Sequence, residues 1–129
     1  MANWYGIWRT NYFHVRDEVV FTDWAATVPY IELITDSEGR FGFLGNGEGG
    51  VPSYRHDDDS EFDFVEELGK QLAENEVAIV MCVGREKMRY LTGYAEAVHS
   101  DGRRMFVDVQ DIYNRVKNTW GVTPTPAEY

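Results

Sequence analysis

Cysteine is almost missing. Cys82 is the only one in 129 residues, so no internal disulfide can staple the fold. Its place inside the apolar run VAIVMCV reads as a small buried thiol in a reducing compartment. No apolar run approaches the roughly 18 residues of a membrane-spanning helix, and the opening MANWYGIWRT has no charged stretch leading into an apolar one. Membrane insertion and export are therefore not expected, and the expected location is the cytoplasm. Positive charge is scarce too. Twelve Lys and Arg face 22 Asp and Glu, a formal net charge of −10, which disfavours direct binding to nucleic acid or an anionic membrane and favours a basic partner. The chain also lacks G-x-S-x-G, H-E-x-x-H and a P-loop lysine. Its GNGEGG stretch has no strand-loop-helix context in which to cradle phosphates. Neither an enzyme activity nor a cofactor is expected.

What is present is ample apolar material. Hydrophobic residues make up 43% of the chain and aromatic residues 15%, enough for one compact core without metal or disulfide support. The expected organisation is a single domain over residues 1–121, followed by a flexible tail, VTPTPAEY, over 122–129.

Hydrophobic periodicity orders the elements. WYGIWRTNYFHVR, from Trp4 to Arg16, is rich in β-formers and reads as one long strand, with Tyr5, Ile7, Phe13 and Val15 on one side and Trp4, Trp8, Tyr12 and His14 on the other. DEVVFTDWAAT places Val20, Phe21, Trp24 and Ala25 at helical spacing behind two acids, and Pro29 stops that helix. YIELIT, then DSEG, then RFGFL reads as a hairpin. GNGEGGVPSY, residues 45–54, is a surface loop by composition. Asp63 with Glu66 resembles a capping box, and Val65, Leu68 and Leu72 form the apolar stripe of the helix it opens. Val77–Val83 is continuously apolar, as expected of a central strand covered on both faces. MRYLTGYAEAVH and RRMFVDV flank a tight SDG turn. In DIYNRVKNTWG, Ile112, Val116 and Trp120 recur every four residues and Gly121 stands at the stop. The predicted order is β-α-β-β-α-β-β-β-α, an α+β domain with a mostly antiparallel sheet covered by helices.

Charge is distributed unevenly along this order. Residues 57–76 hold nine acids against Lys70 alone, so they carry −8 of the net −10, whereas 84–104 is net positive. Within the acidic stretch, Asp57-x-Asp59-x-Glu61 superficially copies the first ligands of a calcium loop. Position six of such a loop requires Gly and position twelve a bidentate Glu, where this chain has Phe62 and Leu68. A solvated turn ahead of a helix therefore accounts for His56 and its neighbouring acids better than a metal does, and no metal is expected. His14 and His99 stand alone in strand patterns. Cys82, between Met81 and Val83, lacks the electropositive setting of a nucleophile.

The remaining sharp reading is a partner-binding surface. Carboxylates on a solvated helix and its lead-in present repeated negative charge, which fits a basic groove that normally tracks a nucleic-acid backbone. An acidic helix kept only for solubility would carry the same charges. The candidate binding residues are Tyr54, Asp57, Asp58, Asp59, Glu61, Phe62, Asp63, Glu66, Glu67 and Glu74. Phe62 and Phe64 bear on the choice: inward they fix the register of the acids, and outward they are apolar anchors in a charged rim. Trp4, Trp8 and Tyr12 offer a second surface if they do not pack in the core.

NWYG, NYF at 11–13, EFDFVEELG and MRYLTGYA resemble small acidic proteins carried by phages, plasmids and other mobile elements. That resemblance implies an inhibitor of host defence, of the anti-restriction or anti-CRISPR kind, which occupies a nucleic-acid site on its target. It brings no catalytic residue with it. The expected function is therefore a non-enzymatic inhibitor or adaptor of a basic, nucleic-acid-handling protein. An immunity protein against a basic toxin has the same sequence features. A small-molecule-binding or catalytic domain is the reading from another class, and a deep pocket lined by Trp4, Tyr12, Tyr90 and Tyr94 would favour it.

Overall fold

A computed structural model describes residues 5–47, 49–55 and 58–127. Its elements are β1 (Tyr5–Thr10), α1 (Glu18–Ala25), β2 (Ile31–Thr35), β3 (Phe41–Gly45), α2 (Phe64–Gln71), β4 (Val77–Glu86), β5 (Tyr90–His99), β6 (Arg104–Asp108) and α3 (Asp111–Trp120). This is the α+β domain and the element order that periodicity predicts. All six strands form one antiparallel sheet in the order β2-β3-β1-β4-β5-β6.

Turn chemistry explains two of the three hairpins. In DSEG the Asp36 carboxylate accepts from the backbone N–H groups of Glu38 and Arg40, at 3.0 and 2.9 Å, and Gly39 takes the left-handed φ of +75° that a side chain resists. In SDG, Asp101 accepts from Arg103 N–H at 3.0 Å and Gly102 has a φ of +96°.

β1 is shorter than expected. The strand buries Gly6, Trp8 and Thr10, so an unbroken period of two would put Tyr12 inside, yet Phe13 is the buried residue. Asn11 causes the slip. Its side-chain amide donates to Val77 C=O at 3.1 Å and accepts from Ile79 N–H at 2.8 Å, so side chain replaces backbone in the ladder with β4. Thr10 is buried beside it, and its hydroxyl accepts from Phe43 N–H at 2.8 Å while donating to Asn11 C=O. Beyond the slip the chain makes single bridges, Phe13 to Phe41 and Val15 to Leu72. Trp8 lies in the core, so it offers no outward surface with Tyr12, and Trp4 is outside the described residues.

The core lies on one face of the sheet, under α1 and α2. Asp17 caps α1, and Phe21 packs edge-on or tilted against Phe13, Phe41 and Phe43. Phe64 opens α2 at 2% exposure and meets Trp8, Phe43 and Trp24, the last in a stacked contact at 5.8 Å. Gly69 lets α2 sit down on β5: a Cβ there would come within 2.7 Å of Val98 Cγ2.

Among the described residues, the opposite face has no such cover. Ala78, Val80 and Cys82 of β4 point into the core, but Val77, Met81 and Val83 are exposed. The expectation that β4 is covered on both faces is therefore corrected, because an all-apolar run carries no alternation to distinguish one covered face from two. α3 does not supply the missing cover. None of its residues is buried, and Ile112 and Trp120 stand exposed. Residues 122–127 form no helix or strand, and Ala127 N–H donates to the Tyr113 hydroxyl at 2.6 Å, turning the tail back along α3. No described helix is long and apolar enough to cross a membrane.

Candidate partner-binding surface

The acidic stretch begins as the tip of a short two-stranded loop. Arg55 N–H donates to Ser60 C=O at 2.8 Å and Phe62 N–H to Ser53 C=O at 2.9 Å, on either side of the bridge between Tyr54 and Glu61. Asp58 closes the tip by accepting from Ser60 N–H at 2.9 Å, and Asp59 takes a left-handed φ of +55°. The Ser60 contacts hold the Asp58 carboxyl below its ordinary range. Backbone bonding, in addition to the helix cap, therefore orders this segment.

Asp63 then caps α2, its side chain accepting from Glu66 N–H at 3.1 Å. It also receives a hydrogen bond from Arg104 at 2.8 Å, and Arg104 pairs with Glu96 at the same distance. Partial burial pushes the Asp63 carboxyl upward, but Arg104 and the cap bonds outweigh it, and the net shift is downward. Glu67, one turn on, accepts from the Trp24 indole at 2.8 Å and from Arg55 at 2.5 Å. Arg55 also lies over the Phe62 ring, 4.8 Å from its centroid.

These contacts sort the candidates. Tyr54, Asp58, Asp59 and Glu61 come together on the loop, exposed. Glu66 is exposed on α2, with Lys70 3.9 Å away. Asp63 and Glu67 serve the fold through Arg104 and Arg55. Phe62 is only 8% exposed and belongs to the core, so it is not an outward anchor. Glu74 is exposed but lies past the far end of α2, roughly 12 Å of helix from the loop. Asp57 falls outside the described residues, as does His56.

Besides Arg104, three participants were not singled out by sequence reasoning. Arg55 and Glu76 tie the acidic segment to the body, Glu76 by accepting from His14 N–H at 2.7 Å. Tyr30, exposed and held at a left-handed φ of +58°, faces Tyr54 across an apolar depression of about 320 Å³ that also includes Pro29, Val51 and Pro52. Asn46 N–H donates to Tyr30 C=O at 2.6 Å and braces that conformation. In the sequence Pro29 reads as the stop of α1 and Tyr30 as the first residue of a strand, so neither marks the depression.

Other chemistry finds less support in the geometry. Tyr94 lines a second, open cleft of about 630 Å³ with Glu61, Asp63, Glu96 and Arg104, but Tyr12 and Tyr90 do not line it. Burial pushes the Tyr94 hydroxyl up to about 12 and raises the Cys82 thiol beside it, so both hold their protons at neutral pH. Protonated thiols are poor nucleophiles. Among the described residues, no three His, Cys, Asp or Glu side chains converge as a metal would require. No protein-family model, curated protein or solved structure matches the chain.

Proposed function

We propose that the chain is a non-enzymatic inhibitor or adaptor whose acidic loop and helix occupy a basic, nucleic-acid-binding surface of another protein. A host-defence inhibitor of the anti-restriction or anti-CRISPR kind is the role this surface would serve. The observation that carries the reading is the fixed outward presentation of Asp58, Asp59, Glu61 and Glu66, held by the 53–62 ladder and by inward Phe62 and Phe64. Carboxylates pre-ordered in this way lose little conformational freedom on binding, and their shared sign steers a cationic partner toward them. Because Asp63, Glu67 and Glu76 are engaged internally, the interface is a local patch centred on the loop, with Tyr54 and Tyr30 as its apolar neighbours.

The test is capture from a host lysate on the immobilised protein, with identification of the retained protein and a salt titration of its binding. Neutralising Asp57, Asp58, Asp59 and Glu61 together as Asn and Gln should abolish retention, and retention by the wild type should weaken as salt rises. A partner held equally well by the neutralised variant, with no dependence on salt, refutes the reading.

A further inference from the structure

We infer that a second copy of this chain covers the open face of the sheet with its α3 helix, making a symmetric dimer in which the two copies exchange these helices. Strand registers place Ile7, Met81, Val83, Leu91, Met105 and Val107 on this face, since Ile7 pairs with Val83 and Val83 with Gly93, while Met81 pairs with Ala95 and Ala95 with Val107. Their exposure reaches 72% at Ile7 and 77% at Met105. Gly93 does not interrupt the patch: a Cβ there would lie 3.2 Å from Val109, just past β6, and 3.6 Å from Val83, so both flanking side chains lean over the glycine.

Four strands about 4.8 Å apart make the patch roughly 20 Å wide, and all six of these apolar side chains are more than half exposed. The apolar stripe of α3 is a second uncovered element, with Trp120 at 74% exposure. With Ile112 and Trp120, eight large apolar side chains are each more than half exposed, apolar surface of the order of the ~800 Å² per partner that a stable dimer buries. Among the described residues of one chain, neither covers the other. A second copy solves both exposures at once, because each α3 can lie on the facing sheet, and such a reciprocal interface closes on itself.

Shape and charge agree. Two shallow, mainly apolar depressions of about 400 and 340 Å³ share Ile7 and Val83, a form suited to receiving projecting side chains such as Trp120 and Ile112. The acids of the loop and α2 lie on the opposite side of the sheet, and across β1 and β4 the open face carries Arg9 and Arg85, so the most acidic segment is kept away from the contact. The dimer would thus present two acidic surfaces outward.

Sedimentation velocity of the full chain, from about 1 to 100 µM, tests this. A mass near twice 14.9 kDa is expected, insensitive to salt. Met81→Glu on the sheet face and Trp120→Ala on α3 should each weaken association at least ~100-fold while leaving the circular dichroism and thermal midpoint of the monomer unchanged, since both residues are exposed. A wild-type monomer throughout this range overturns the inference, and so does a dimer that ignores either substitution. So too does a monomer whose open face is covered only by an unrelated captured protein. Salt separates this interface from the acidic one, because the proposed acidic contact weakens with salt and the apolar one does not.

Discussion

The Glu67 carboxylate accepts a hydrogen bond from the Trp24 indole at 2.8 Å and thereby joins the two helices that cover the core. The same carboxylate holds Arg55, so one acid of the charged segment fastens the loop, α1 and α2 together.

Glu67→Ala should therefore act on stability. With the group about three-quarters shielded, loss of two hydrogen bonds to an ionised carboxylate, one of them also an ion pair, is expected to cost about 1.5–3 kcal/mol in urea denaturation. Tryptophan emission should shift to the red as Trp24 loses its partner. An unchanged midpoint would mean that Glu67 is free for a binding partner.

Asp63 gives stability a dependence on pH. Its folded-state pKa is depressed, so its contribution is complete above the unfolded carboxylate value and lost as pH falls through the folded one. Asp63→Asn keeps a cap but removes the charge facing Arg104. The stability gap between wild type and this variant should be constant above about pH 5, where a free carboxylate is fully ionised, and should shrink as pH falls below the unfolded carboxylate range, as measured by thermal melts across that range.

Phe64 and Phe62 separate core from interface. Phe64→Ala should cost about 3–5 kcal/mol, as deletion of a buried ring does. Phe62→Ala should also lower the unfolding midpoint, because the ring is buried beneath Arg55. A Phe62→Ala protein of undiminished stability that no longer held its partner would restore that residue to the interface.

Much of the fold was legible in local chemistry. The DSEG and SDG turns, the cap at Asp63 and the Gly121 stop at a φ of +70° each act over a few residues, and the structure contains all of them. The slip at Asn11 was hidden because an amide substituting for backbone leaves no mark on hydrophobic alternation. The roles of Arg55 and Arg104 were hidden too. Arg104 meets Asp63 from 41 residues away, and only tertiary placement decides which of several nearby acids a cation finds. The acidic segment was thus visible as charge, whereas its division into structural and outward carboxylates was not.

Gly69→Ala sets two effects of opposite sign against each other. Alanine favours the helical backbone by about 1 kcal/mol over glycine. The new methyl would meet Val98 Cγ2 at 2.7 Å, and crowding in a packed site costs about 1–3 kcal/mol. Crowding should win, lowering the thermal midpoint, and Val98→Ala in the same chain should recover part of that loss if the clash is the cause.

The placement of β1 between β3 and β4 also governs how the molecule assembles. Tyr5 pairs with Arg85 and Thr10 with Val80, so the middle seam of the sheet joins segments some 70 to 80 residues apart. During synthesis β1 must wait, unpaired on that side, until β4 has emerged. Such distant pairings slow folding toward the millisecond-to-second range. The apolar N-terminal segment is exposed to the ribosome's surroundings for that interval, and this waiting period is when the nascent chain most needs protection from aggregation.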